Sequence, residues 1–121
     1  MALSKKVLVI ENDEVIVVLI SHILSRQSYI VHSTGAIQEA DRLLLENQYD
    51  AVLLEPKIPE GGVDYIRRLE SVNPAVVAKI IVVTADVHNI PSLALLPIHS
   101  VVRKPFEVHE LLETVRRCVE M

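Results

Sequence analysis

Residues 7–24 read VLVIENDEVIVVLISHIL, and the spacing of their apolar residues changes once along this stretch. The first four residues are an apolar run that is too short for a helix and rich in β-branched residues, as in a buried strand. Further on, the apolar residues follow the spacing of one helix face: Ile16, Leu19, Ile20, Ile23 and Leu24. Asn12 and Asp13 stand between the two parts, and both residue types favour the cap position before a helix. The stretch therefore predicts a strand, a capped turn and a helix.

The same alternation continues to the end of the chain. Further strands are predicted at residues 29–33, 51–54, 79–84 and 100–103, with helical patterns between them and after residue 107. Pro91 and Pro97 leave room for only a short or irregular helix before the fifth strand. Five apolar strands separated by helices predict an α/β fold, a doubly wound, five-stranded parallel sheet with helices on both faces. The length of 121 residues fits a single domain over residues 1–121.

Composition argues against several functions. The chain has three Tyr, one Phe and no Trp, so a platform of aromatic residues for nucleic acid or flavin is poorly supported. The net charge of −4 and the lack of a basic stripe argue against direct nucleic-acid binding. No apolar run approaches the roughly 20 residues of a membrane span, and the N-terminus lacks the layout of a signal peptide. The single cysteine, Cys118, suits a reducing compartment, so we expect a cytoplasmic protein.

Polar residues stand where the predicted strands end. Glu11, Asn12 and Asp13 follow the first strand, Glu55 follows the third, Thr84 ends the fourth, and Lys104-Pro105 follows the fifth. In doubly wound sheets the functional crevice lies at the carboxyl ends of the strands. Acids, a hydroxyl and a lysine at one edge could hold a divalent cation and a phosphoryl group.

Four stretches carry a resemblance to a known family: KVLVIENDE, YDAVLLEPKIP, IIVVTAD and VVRKPF. In this order and spacing, the chain resembles the CheY-like receiver domains of bacterial response regulators, which act in two-component phosphorelay signal transduction. In that family, an acidic pair holds Mg²⁺, and an aspartate at the end of the third strand accepts a phosphoryl group from a histidine kinase.

The resemblance implies a role for each strand-end residue. It places the acidic pair at Glu11 and Asn12, with Asp13 beside them, and the acceptor at Glu55. It places the phosphoryl contacts at Thr84 and Lys104. Two further positions follow the family pattern: the switch residue falls on Val101, and Pro105 is the candidate for a cis peptide bond.

This sequence departs from the family pattern at three of these positions. Glu55 is one methylene longer than aspartate, and a misplacement of about 1 Å can cost roughly 100-fold in rate. Asn12 is neutral where the family has an acid, and Val101 is not aromatic. We therefore expect an atypical receiver that is not an enzyme and is not phosphorylated in the usual way. It is expected to act through protein–protein contacts with a histidine kinase or an output domain. Homodimerisation through the fourth helix, fifth strand and fifth helix is a further expectation.

No cofactor is firmly implied. Mg²⁺ is expected to bind weakly, through Glu11, Asn12 and Asp13. Lys57 lies two residues after Glu55, and we hypothesise that its ammonium turns inward in place of the cation. With Lys104 included, two acids and two lysines then sum to zero charge.

Two other functions remain open at this point. One is a conventional receiver that accepts a phosphoryl group on Asp13 or another acid. The other is a small flavodoxin-like enzyme or nucleotide binder, although the only glycines, Gly35, Gly61 and Gly62, form no phosphate loop after the first strand. Structural roles are also open for single residues. Glu11 and Asp13 could simply favour the helix N-terminus, and Glu55 and Lys57 could be solvated.

Overall fold

The computed structural model describes residues 4–121, and the side chains of residues 4–90 and 93–121. Its strands are β1 (Lys6–Ile10), β2 (Ile30–Thr34), β3 (Ala51–Leu54), β4 (Ile80–Thr84) and β5 (Ser100–Arg103). Its helices are α1 (Glu14–Ser25), α2 (Ile37–Glu46), α3 (Gly62–Val72), α4 (Pro74–Val77) and α5 (Val108–Val119). Two short 3-10 helices, Val87–Asn89 and Pro91–Leu95, connect β4 to β5.

The five strands form one parallel sheet in the order β2-β1-β3-β4-β5. The predicted α/β fold is therefore confirmed. The chain moves from β1 to β2 in one direction and then returns past β1 to β3, so the strand order reverses at β1 and β3. In sheets of this kind the functional crevice opens at that reversal, beyond the carboxyl ends of the strands.

The sheet has an apolar layer on each face, because both faces are covered by helices. The layer under α1 and α5 is built from Val7, Val9, Ala51, Leu53, Ile81, Val83 and Val102 of the strands. The other layer lies under α2, α3 and α4 and includes Leu8, Ile10, Val52, Leu54, Ile80 and Val82. The strands β1, β3 and β4 are buried on both faces and read as continuous apolar runs, which explains why periodicity located them in the sequence.

The structure differs from the sequence prediction in local details. Asn73 and Pro74 end α3 and also begin the short helix α4, for which the spacing of apolar residues gives no signal. The Asn73 side chain accepts a hydrogen bond from the backbone N–H of Val76, and Pro74 occupies the first helical position, where its missing N–H costs nothing. Strand β2 covers residues 30–34, one residue later than predicted. The segment between β4 and β5 is irregular, as expected, because it forms the two 3-10 helices.

The turn between β3 and α3 is closely packed and depends on two glycines. Gly61 has a φ of +83°, a conformation that side chains other than glycine rarely adopt. The N–H of Gly62 donates to the carbonyl oxygen of Pro56 at 2.9 Å. A Cβ atom on Gly62 would lie 2.5 Å from Pro56 Cα, so the backbone on both sides of the turn would have to move. The turn thus fixes the path of the chain directly after Glu55.

Within residues 4–121, no helix has both the length and the apolar composition that crossing a membrane would require.

Replacing Gly62 by alanine should destabilise the domain by roughly 1–3 kcal/mol, because the new methyl group overpacks against backbone atoms that cannot rotate away. The measurement is the free energy of unfolding from urea denaturation. Ser71→Ala, at an exposed position of the same helix, is the control and should change it little. Equal stability of Gly62→Ala and wild type would show that the turn is not tightly packed.

Candidate functional site

Three charged side chains meet at the carboxyl edge of the sheet. Glu11 follows β1, Glu55 follows β3, and Lys104 follows β5. The Lys104 ammonium donates to Glu11 Oε1 and to Glu55 Oε1, at 3.1 Å in each case. The side chains are 5%, 10% and 15% exposed, in the order Glu11, Glu55 and Lys104. We call these three residues the Lys104 cluster.

The backbone hydrogen bonds of the sheet continue for one residue past the ends of β1, β3 and β5. These bonds fix the backbone positions of the three residues of the Lys104 cluster. The N–H of Glu11 donates to Thr34 O at 2.9 Å, and the N–H of Glu55 donates to Ile10 O at 2.9 Å. The N–H of Lys104 donates to Thr84 O, also at 2.9 Å. The peptide bond between Lys104 and Pro105 is cis, as predicted. The three residues therefore keep the register of their strands, and their side chains converge because parallel strands end at one edge.

Burial and charge act against each other in the cluster. Burial, the largest influence, raises the pKa of Glu11, and the hydrogen bond from Lys104 offsets this only in part. Burial also works to lower the pKa of Lys104, but its hydrogen bonds to Glu55 and Glu11 outweigh burial and raise that pKa overall. Two carboxylates and one ammonium leave the cluster with a formal charge of −1.

Both carboxylate oxygens of Glu55 have hydrogen-bond donors. Oε1 accepts from Lys104, and Oε2 accepts from the backbone N–H of Lys57 at 3.2 Å. Glu55 is therefore a buried, bonded acid, and the alternative of a solvated loop residue does not fit the structure.

The structure does not bring the Lys57 side chain into the cluster. Its ammonium forms an ion pair with Asp86, and the Lys57 side chain is 59% exposed. The hypothesis that this ammonium turns inward in place of a cation is therefore corrected. The charge sum of zero is corrected as well, because the cluster contains one lysine. Sequence reasoning missed Asp86, although it stands two residues after Thr84, at the same edge of the sheet.

Asn12 and Asp13 do not form a metal site with Glu11 in this structure. Asp13 caps α1, because its Oδ1 accepts from the backbone N–H groups of Val15 and Ile16 at 3.0 and 3.4 Å. Asn12 is exposed and offers only a neutral amide. Within residues 4–121, no three His, Cys, Asp or Glu side chains are grouped so that they could hold a metal ion. Mg²⁺ is usually bound through one or two carboxylates and several waters, so the neutral Asn12 and the engaged Asp13 favour weak binding.

Thr84 and Val101 occupy the remaining predicted positions. Thr84 is fully buried, and its Oγ1 accepts the backbone N–H of Asp86 at 3.2 Å. Its hydroxyl oxygen therefore bonds to the loop after β4. Val101 lies on β5 and is 38% exposed. The structure thus brings Glu11, Glu55 and Lys104 together, with Thr84 at the adjacent strand end.

A cavity of about 310 Å³ opens beside the cluster, between the ends of β1 and β2. It is lined by Glu11, Asn12, Glu14, Val17, Ser33, Thr34 and Gly35. This volume is near the lower limit for ligand pockets, and the lining has no aromatic residue that could stack on a flavin or a base. The cavity gives no support to a flavodoxin-like enzyme or a nucleotide binder.

Comparison with known proteins gives one consistent family. The family model for the response regulator receiver domain matches residues 7–116. The receiver domain of a sensor histidine kinase from Pseudomonas aeruginosa, solved with magnesium in its active-site cleft, superposes with a TM-score of 0.87 at 21% identity, over 98% of this chain and all of that one. At this identity the likeness concerns the fold.

Two further structures show the same similarity. The response regulator TrrA from Thermotoga maritima, in complex with Mg²⁺ and BeF, has a TM-score of 0.83 at 25% identity, over 94% of this chain and 98% of that one. The beryllofluoride-activated NtrC4 receiver domain dimer has a TM-score of 0.83 at 26% identity, over 95% of this chain and 96% of that one.

Replacing Lys104 by methionine should destabilise the domain by about 3 kcal/mol at pH 7, because it leaves two buried carboxylates without their cation. The loss should shrink at low pH as the carboxylates become protonated. Urea denaturation at several pH values measures it. Lys57→Met is the matched control and should have little effect, since that ion pair is exposed. Similar losses in both variants would mean that burial does not distinguish the two ion pairs.

The Glu11 carboxyl should titrate above its ordinary value of 4.5, because burial disfavours its charged form. The folded state then holds this proton more tightly than the unfolded state does. The contribution of Glu11 to stability is therefore greatest below the ordinary pKa and is lost as pH rises through the raised pKa. Carbon NMR of the Glu11 side chain measures the midpoint, and Lys104→Met should raise it further. A midpoint at or below 4.5 would contradict the effect of burial.

Proposed function

Because this chain belongs to the response regulator receiver domain family, we propose that it is an atypical receiver that signals through protein–protein contacts without the usual phosphorylation. Receiver domains are signalling modules of two-component systems. The observation that carries the proposal is the bond between Lys104 and Glu55 at the acceptor position. An internal ion pair stands where an aspartate would otherwise receive the phosphoryl group.

Three features of the site oppose phosphoryl transfer to Glu55. Its carboxylate is carried on a longer side chain than aspartate, and phosphoryl transfer depends on accurate alignment of the attacking oxygen. Both of its oxygens already accept hydrogen bonds, from Lys104 and from the Lys57 backbone. Asn12 is neutral, so the site lacks one of the two carboxylates that hold the metal ion in the family. A conventional receiver using Asp13 is also disfavoured, because that carboxylate caps α1.

Glu55 is proposed to supply part of the signal itself. Its carboxylate accepts a hydrogen bond from Lys104, one of the two residues that contact the phosphoryl group in the family. Thr84, the other one, keeps its hydrogen bond to Asp86. A carboxylate carries one charge and two oxygens, whereas a phosphoryl group carries about −1.5 to −2 and three. The site is therefore expected to favour the signalling state in part.

The proposed partners are a histidine kinase or an output domain in the cytoplasm. The surface formed by the 3-10 helices, β5 and α5 is the expected contact, and Val101 lies on it with 38% of its surface exposed. A homodimer through this same surface is a further proposal. The proposed role is binding and relay, as is general for receiver domains.

Incubation with acetyl phosphate and Mg²⁺ should leave the intact mass of the protein unchanged, because the acceptor carboxylate is displaced and engaged. Mass spectrometry measures the product. The matched control is the double variant Glu55→Asp with Asn12→Asp, which restores the acceptor and an acidic pair and should label. A stoichiometric, base-labile phosphoryl adduct on Glu55 of the wild-type protein would overturn the proposal.

Mg²⁺ should bind only weakly, at about millimolar concentrations or above, because Asn12 is neutral and Lys104 already pairs with both glutamates. NMR shifts of the backbone amides of Glu11 and Glu55 during a Mg²⁺ titration measure this binding. The Asn12→Asp variant is the comparison and should bind more tightly. Saturation of the wild-type protein at micromolar Mg²⁺ would show that Asp13 leaves its capping position and acts as a ligand.

A further inference from the structure

Helix α1 exposes an unusual amount of apolar surface. Val15 is 75% exposed, Val18 is 68% exposed and Leu19 is 43% exposed. His22 is also exposed, and the four residues have the i, i+3, i+4, i+7 spacing of one helix face. We call this face the α1 stripe. It lies opposite the buried residues Ile20, Ile23 and Leu24, which pack on the sheet.

The composition of α1 indicates that the stripe is a contact surface. A surface helix normally carries charged residues on its outer face, as α5 does with Arg116 and Arg117. Glu14 is the only Asp, Glu, Lys or Arg residue in α1, and it lies at the first position. A helix that is apolar on both faces is normally covered on both. The sheet covers one face, and a partner is needed for the other.

We propose that the α1 stripe packs against α1 of a second copy of this chain, with the two helices antiparallel. The charges at the ends of the helix support this arrangement. Glu14 begins α1 and the exposed Arg26 caps its C-terminus, so antiparallel helices bring Glu14 of one copy near Arg26 of the other at both ends. Parallel helices would bring like charges together. Antiparallel helix dipoles also attract each other at their ends.

The same composition disfavours a lipid surface. Helices that lie on membranes combine an apolar face with a polar face rich in Lys and Arg, and α1 has neither residue between Glu14 and Ser25. The exposed apolar side chains can bury only a few hundred Å², less than the roughly 800 Å² per partner of a standard interface. The dimer is therefore weak and forms at high protein concentration. It uses a different surface from the one around Val101 and is independent of the chemistry of Glu55.

Sedimentation equilibrium of the full chain, from about 10 μM to 1 mM, tests the proposal in a range where weak interfaces dissociate. We expect reversible monomer–dimer association. Val18→Glu should weaken it tenfold or more, because it places two like charges in the centre of the stripe. Leu45→Glu is the matched control: Leu45 is 88% exposed on α2, on the other face of the sheet, and its substitution should leave association unchanged.

A charge exchange tests the orientation of the helices. Glu14→Arg and Arg26→Glu should each weaken association, and the double variant should restore it, because each restored pair joins residues of different copies. Circular dichroism checks that every variant is folded. A monomer throughout the concentration range, or a dimer that Val18→Glu leaves unchanged, would overturn the proposal. If Val18→Glu weakens dimerisation but the double variant of Glu14→Arg and Arg26→Glu does not restore it, the antiparallel arrangement is overturned.

Discussion

Two glutamate carboxylates lie almost out of contact with water at the carboxyl edge of the sheet, and the ammonium of Lys104 serves both of them. Removing an ion from water costs several kcal/mol, so two buried carboxylates at one edge depend on a shared cation. Glu11 and Glu55 follow neighbouring strands, whereas Lys104 follows β5, on the far side of β4. The ion pair thus joins three strand ends across the sheet. Burial, the largest influence, raises the pKa of Glu11 despite its bond to Lys104, and the charge of Glu55 adds to that rise.

The convergence of these three residues could be predicted from the sequence, because it follows from the sheet itself. The strands β1 and β3, which Glu11 and Glu55 follow, are buried on both faces and are continuous apolar runs, so their ends can be located to within a residue or two. Once the strands are parallel, residues that follow them must share one edge. The position of Asp13 as a helix cap was equally accessible, since the cap geometry depends only on residues 13–16.

The ion-pair partner of Lys57 could not be predicted from the sequence in this way. Lys57 and Asp86 are 29 residues apart and lie in two loops whose directions no periodicity specifies. From the sequence, an inward and an outward lysine were both compatible with the chain, and the acid that decides between them follows β4. The start of α4 was ambiguous for a related reason. Asn73-Pro74 is suited to stopping one helix and to capping the next, and the structure uses it for both.

Lys57 and Asp86 also bear on how far Glu55 can imitate a phosphoryl group. The Thr84 hydroxyl accepts the N–H of Asp86, and the Asp86 carboxylate pairs with Lys57, so the loop after β4 is held at two points. Drawing Thr84 toward Glu55 would break the first of these bonds. One hydrogen bond to a charged group contributes about 1.5–3 kcal/mol, whereas moving an equilibrium from 1:99 to 99:1 takes about 5.5 kcal/mol. The single negative charge of Glu55 is already paired with Lys104, so it can attract Thr84 only weakly. We therefore expect that Lys104 is engaged by Glu55 while Thr84 keeps its bond to the loop after β4. The resting and signalling states should then be close in free energy, and binding of a partner should determine which of them is populated.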